Sequence, residues 1–212
     1  DDIVTGAVRY NDSKGAVFVF HSTASGLDVS DSPDPNWGNL DDADTTIEGT
    51  GELASLGHSV AAGGDINGDG LGDLAIGHRN YRDGHDGEGA GLIFLSTPAG
   101  IPSGVATDAD TLLEGNRIER NFGYDVAFIP DFNDDGFDDV AVTSRDYGGV
   151  QDQAGAGAVA VYLGSNSGIE SGELDDADYL IDGNQGDANL GESVASLGDV
   201  DECRRPVHRV AD

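Results

Sequence analysis

The chain has one cysteine (Cys203), one lysine (Lys14), one tryptophan and no methionine. A lone thiol cannot close an internal disulfide, so the fold is not covalently stapled and cysteine usage leaves the redox compartment open. Bases are scarce too: 10 Lys and Arg face 41 Asp and Glu over 212 residues, for a formal charge of −31. Such a field repels phosphate backbones and anionic headgroups, which excludes nucleic acid as a partner and a peripheral seat on acidic lipid. No apolar run approaches the roughly 20 residues a spanning helix needs, so this segment is expected not to insert into a membrane. The opening Asp1-Asp2-Ile3-Val4 has neither a basic nor an apolar leader. Any targeting signal is therefore expected to have been removed or to lie outside the segment.

What is present is a lean but sufficient apolar fraction of 37% and an acidic surface in which 32 Asp outnumber 9 Glu. That bias resembles the strongly hydrated surfaces of salt-adapted proteins. Sliding the sequence along itself reveals a period of 66 to 68 residues. Leu56-Gly57-His58-Ser59-Val60 returns as Phe122-Gly123-Tyr124-Asp125-Val126 and again as Leu190-Gly191-Glu192-Ser193-Val194. Asp44, Asp110 and Asp178, in DADTTIEG, DADTLLEG and DADYLIDG, keep the same register. Tyr10, Tyr81 and Tyr147 each lie eight residues after an aspartate (Asp2, Asp73, Asp139), so the first residues read as the tail of an earlier unit.

Within a unit the apolar runs are short and bounded by Gly, Asp and Asn, the punctuation of strands. Four strands per unit are predicted. In the second unit they fall near residues 58–62, 73–77, 91–96 and 111–114, and in the third near 124–128, 139–143, 158–163 and 179–181. No long segment has apolar residues at helical spacing. Four antiparallel strands at a fixed period describe a propeller blade, whose sheet is covered on both faces by its neighbours. A β-sandwich is the second choice, and it does not require units locked to a period. The expected organisation is a partial blade over 1–49, full blades over 50–115 and 116–183, the start of another over 184–200, and an atypical tail over 201–212.

Between the first and second strands lies Asp65-Ile66-Asn67-Gly68-Asp69-Gly70-Leu71-Gly72-Asp73, and one period later Asp131-Phe132-Asn133-Asp134-Asp135-Gly136-Phe137-Asp138-Asp139. Both read D-x-N-x-D-G-x-x-D. Oxygen donors at positions 1, 3, 5 and 9, a carbonyl at 7 and a turn glycine at 6 suit a hard cation of calcium's size. The predicted ligands are Asp65, Asn67, Asp69, the Leu71 carbonyl and Asp73, then Asp131, Asn133, Asp135, the Phe137 carbonyl and Asp139. An EF-hand would need a bidentate Glu at position 12 and a following helix. Position 12 is instead Ile76 or Val142, inside the apolar runs DLAIG and DVAVT. The bland reading is an Asp/Asn/Gly turn that merely starts a strand; two copies with every donor position filled weigh against it. The ions are expected to be structural and, lying in different blades, independent of one another.

These elements, LGHSV…GDINGDGLGDLAIG, FGYDV…PDFNDDGFDDVAVTS and LGESV…GDV, resemble FG-GAP repeats, the blades of the integrin α-subunit propeller. The resemblance runs to about Val200. It implies an all-β β-propeller of that type, here a partial one of about three four-stranded blades. It also implies calcium loops on one face and partner binding on the opposite one. The family's Ala-Pro strand ending is replaced by Gly77-His78-Arg79 and Thr143-Ser144-Arg145. About three blades fall short of the four to eight of a closed propeller, so further blades or self-association are expected at the exposed edges. After Asp199-Val200-Asp201 a third loop is due, yet the chain reads Glu202-Cys203-Arg204-Arg205-Pro206. Read one base later, one permitted codon choice for 201–212 spells TNADDLFIGSL, which resembles the missing strand and points to a frame break in the gene.

No catalytic constellation is found. His21, His58, His78, His85 and His208 show no paired-ligand spacing and Cys203 sits in the atypical tail. The run from Arg79 to Asp86 reads as a solvated loop or a binding face, and the recurrent tyrosines as packing residues. Asn11-Asp12-Ser13 fits a glycosylation sequon that carries no weight by itself. The reading is a non-enzymatic, calcium-binding segment of a secreted or cell-surface protein whose outer loops recognise a protein or glycan. The alternative is a scaffold domain attached to a secreted hydrolase or phospholipase.

Overall fold

A computed structural model describes residues 2–24, 26–27, 39–51, 55–83, 86–116, 121–148 and 154–198. His85, Asp199, Cys203, His208 and the 201–212 stretch lie outside the described residues. Short runs of Val, Ile, Ala and aromatic residues between Gly/Asp/Asn breaks favour extended backbone, and the chain folds into successive sheets. The first part gives β1 (Ile3–Ala7), β2 (Ala16–Phe20), β3 (Ser22–Thr23), β4 (Gly26–Leu27) and β5 (Thr45–Glu48). Next come β6 (Ser59–Gly64), β7 (Asp73–His78), β8 (Ala90–Phe94), β9 (Gly104–Val105) and β10 (Thr111–Glu114). The last are β11 (Phe122–Ile129), β12 (Asp139–Ser144), β13 (Ala158–Tyr162), β14 (Gly172–Glu173) and β15 (Tyr179–Asp182).

The sheets are ordered β1-β2-β5-β9, β6-β7-β8-β10-β14 and β11-β12-β13-β15, with the long neighbours antiparallel. This is an all-β partial propeller, and each predicted strand falls within two residues of an observed one. The second and third strands read as near-continuous apolar runs because neighbouring sheets cover both faces. All residues of β7, β8 and β12 are buried. Two apolar cores fill the spaces between sheets. One is built on Leu56, Leu74, Ile76 and Leu92, the other on Ile93, Phe122, Val140 and Val142.

The glycine of the recurring F/L-G-x-x-V element is imposed by this stacking. Gly123 has φ +71°, and a methyl built on it would lie 1.9 Å from the carbonyl oxygen of Ala90 in the preceding sheet. Its equivalent Gly57 has φ +78°, and a methyl built on it would lie 2.9 Å from both the Ala16 carbonyl oxygen and the Val17 Cγ2. Neighbouring backbone closes on both glycines, and a side chain at either would collide.

A second tie was not legible in the sequence. The outer strand of one sheet is met in parallel by a two-residue strand from the next unit, β9 on β5 and β14 on β10. The Oγ1 of Thr45 donates to the Ile101 carbonyl at 2.5 Å, and that of Thr111 to the Ile169 carbonyl at 2.6 Å. The N–H groups of Thr46 and Leu112 reach the Oγ atoms of Ser103 and Ser171, each at 3.0 Å. The D-A-D landmark serves the same corner. Asp42, Asp108 and Asp176 cap short 3₁₀ turns by accepting from Asn39, Val105 and Glu173 N–H groups. Asp44, Asp110 and Asp178 accept from His21, Leu95 and Leu163, just past the third strands.

Gly123→Ala is expected to lower the thermal midpoint well beyond Gly63→Ala. Gly63 also has positive φ (+97°), but a methyl there meets nothing within 4 Å. The first change adds a clash to the roughly 1 kcal/mol of backbone strain that the second carries alone. Melting curves of the two variants check this.

Candidate metal centre

Each aspartate-rich loop turns between an inner strand and the buried second strand, and each has the same internal wiring. In the first, Asp65 accepts the N–H groups of Asp69 and Gly70 at 3.0 and 2.9 Å. Asn67 Oδ1 accepts from Asp69 N–H at 3.0 Å, and its Nδ2 donates to Asp69 Oδ2 at 3.1 Å. In the second, Asp131 accepts from Asp135 and Gly136 at 2.7 and 3.1 Å, and Asn133 Nδ2 donates to Asp135 at 2.8 Å. Gly70 and Gly136 adopt φ of +84° and +95°, the left-handed turn expected at position 6. Leu71 and Phe137 use their N–H groups, on Asp69 and Asp135 at 2.8 and 3.0 Å.

Asp73 and Asp139 close the loops and are fully buried. Asp73 accepts from Ile66 and Ser96 N–H groups at 3.1 and 2.9 Å, Asp139 from Phe132 and Gly164 at 2.7 and 2.9 Å. Burial pushes the pKa of both carboxyls up, these hydrogen bonds pull it down, and the acids at positions 5 and 1 push it up further. A buried carboxylate facing two others is a place where a cation relieves repulsion. The donors, three carboxylates and one amide oxygen per loop, fit calcium's preference for hard oxygen ligands. Among the described residues no three His, Cys, Asp or Glu side chains converge as a ready-made ligand set. The candidate oxygens are instead turned onto the loop's own N–H groups.

The two loops, whose ions are expected to be independent, are linked by Asp138. Its N–H donates to the Asp65 carbonyl at 3.0 Å, and its carboxylate accepts from Asp65 N–H at 2.9 Å and from Asp131 N–H at 3.3 Å. The Ile66 carbonyl also accepts from Ser165 N–H at 3.1 Å. One side chain thus clasps both loops across two sheets. The sequence signal was the extra acid at position 8 of the second loop, where the first has Gly72.

Residues 56–94 and 122–162 match the FG-GAP repeat family model. These two units are FG-GAP repeats. Integrin alpha-IIb of Mus musculus is 34% identical over 122 residues, covering 56% of this chain and 11% of that protein. Integrin alpha-3 of Mus musculus is 29% identical over 208 residues, covering 96% and 17%. Phosphatidylinositol-glycan-specific phospholipase D of Homo sapiens is 36% identical over 119 residues, covering 54% and 14%. The chain spans less than a fifth of these relatives.

At the other end of the FG-GAP strands the charge changes. Arg9, Lys14, Arg79, Arg82 and Arg145, all the bases among the described residues, lie in connections that leave the second strands β1, β7 and β12. Arg79 and Arg145 stand 5.8 and 5.5 Å from the ring centre of Tyr124, and Arg145 pairs with Glu192 at 2.7 Å. Arg82 pairs with Asp86 at 3.3 Å, both exposed, so these two residues of the Arg79 to Asp86 run are solvated. An open cleft of about 840 Å³ lies beside it, lined by Arg82, Asp86, Asn121, Arg145, Asp146 and Asn189 among others. The recurrent tyrosines pack as expected: Tyr10 on Phe18, Tyr81 on His78, and Tyr147 within the core.

His78 ends β7 at 3% exposure, its ring edge-on to Tyr81. Burial lowers its pKa to about 4. A depressed imidazole contributes stability that is complete above its unfolded pKa of about 6.5 and is lost as pH falls toward 4. Acidification through that window is expected to cost about 3 kcal/mol at this site, and His78→Leu is expected to flatten that part of a stability–pH profile measured with denaturant.

Proposed function

We propose that this chain is a calcium-binding, non-catalytic FG-GAP propeller segment of a secreted or cell-surface protein. Asp65, Asn67, Asp69 and Asp73 hold one ion with the Leu71 carbonyl, and Asp131, Asn133, Asp135 and Asp139 a second with the Phe137 carbonyl. The observation that carries the reading is the pair of buried carboxylates, Asp73 and Asp139, each raised in pKa chiefly by burial and further by its own loop's acids. Calcium supplies the positive charge that lets these acids stay ionised together while the loop stays closed. Because Asp138 joins the loops, the ions fasten two sheets to each other as well as two strands. The likeness to integrin alpha chains supports a recognition role. The face away from the loops, with its bases and open cleft, is where a protein or glycan partner binds.

The phospholipase D relative supports a second reading, in which the same calcium-bound blades are a scaffold beside an enzyme domain. Sequencing the locus on both sides separates the two: adhesion modules or an anchor favour recognition, a linked catalytic domain the scaffold.

Chelation with EGTA is expected to lower the melting temperature, since calcium at a hundred times its dissociation constant adds about 2.7 kcal/mol per site. An unchanged melt contradicts structural calcium. In calcium titrations, Asp69→Ala is expected to abolish one site and weaken the other several-fold. Asp138→Ala is expected to leave two sites that no longer influence each other.

A further inference from the structure

The first aspartate-rich loop contains Asn67-Gly68, the one Asn-Gly step in the chain. With no Cβ on the following residue, nothing screens the glycine nitrogen from the side-chain amide carbon before it. The fold sharpens that chemistry. Asp69 N–H donates to Asn67 Oδ1 at 3.0 Å, an Asx turn that closes a ring around the Gly68 peptide and keeps the amide beside it. Gly68 N–H has no hydrogen-bond acceptor among the described residues. Asn67 is only half-buried and Gly68 is exposed, so water reaches both.

Comparable steps are held back. Three glycines that follow an aspartate have their nitrogens engaged: Gly70 donates to Asp65 at 2.9 Å, Gly136 to Asp131 at 3.1 Å, and Gly183 to the Gly157 carbonyl at 2.9 Å. The second loop has the same Asx turn, with Asp135 N–H donating to Asn133 Oδ1 at 3.3 Å. Its step, however, is Asn133-Asp134. There the Asp134 N–H is directed at the Asp131 carbonyl at 3.5 Å, and a side chain stands beside the nitrogen. Two loops of one design thus differ at the atom that would attack.

We propose that Asn67 is a site of spontaneous covalent modification that ages the first loop and spares the second. The Gly68 nitrogen bonds to Cγ of Asn67 and gives up its proton, the Cγ–Nδ2 bond breaks, and Nδ2 leaves with that proton as ammonia. Water then opens the cyclic imide. Attack at Cγ leaves aspartate at 67; attack at the main-chain carbonyl leaves isoaspartate, with the main chain one methylene longer. Aspartate removes the donor that reaches Asp69 Oδ2 at 3.1 Å and adds a carboxylate to Asp65, Asp69 and Asp73. Isoaspartate lengthens the chain where there is no slack, since a methyl on Gly68 would lie 2.8 Å from the ring of Phe137 in the second loop. Closing the imide also turns Oδ1 away from any ion it ligates, so bound calcium opposes the step. That protection rests on the calcium reading above; the choice of Asn67 does not.

Peptide mapping by mass spectrometry, with the full chain held in warm, mildly alkaline buffer, tests this; electron-transfer fragmentation tells isoaspartate from aspartate. In EGTA, Asn67 is expected to convert to a mixture of the two several-fold faster than Asn133, and calcium is expected to slow that conversion several-fold. Gly68→Asp, which gives the first loop the residue of the second, is expected to stop it with circular dichroism unchanged. An Asn67 that stays intact in EGTA, or an Asn133 that converts as fast, overturns the proposal. Equal rates at Asn67 with and without calcium overturn the protection and the ligand role of Asn67, and leave the modification standing.

Discussion

Close backbone approach between stacked sheets is the constraint on which the rest depends. Gly57 and Gly123 admit a neighbouring carbonyl where any side chain would collide, and this sets each inner strand against the sheet before it. Once the sheets are that close, strands β7, β8 and β12 lose contact with water on both faces, so they read as mostly apolar runs. The aspartate loops inherit their geometry from this arrangement. Each hangs between an inner strand fixed by the glycine contact and a second strand whose first residue, Asp73 or Asp139, is buried.

That placement explains why the loops carry more acid than a turn requires. An Asx turn needs one carboxylate or amide to cap its N–H groups; each of these loops has three carboxylates in nine residues, the last of them buried. Repulsion of that kind is costly in a chain already at −31, and it becomes useful when a divalent cation balances it. Among the described residues the bases gather at the far end of the strands. Charge thus divides these residues between an acidic loop end and an opposite end with mixed charge and an open cleft.

Much of this was legible in the sequence because the repeat is long and its landmarks are chemically distinct. The eight strands expected in the second and third units appear within two residues of their places, since a strand buried on both faces must be a short apolar run between breakers. Gly70 and Gly136 take the left-handed turn that position 6 demands. The features that escaped depend on a neighbour, and no local pattern encodes a neighbour. Strands β9 and β14 are two residues long and exist only because an adjoining outer strand offers an edge. Asp138 fills no ligand position of the loop motif, yet it hydrogen-bonds both loops. The D-A-D aspartates looked like repeat markers and proved to cap turns and third-strand ends.

The number of calcium ions bound per chain tests the account most directly. Native mass spectrometry of the chain in calcium is expected to show two ions per copy, dropping to one when Asp131 and Asp135 are both replaced by Ala. A chain that binds no calcium, or one that keeps both ions in that variant, contradicts it.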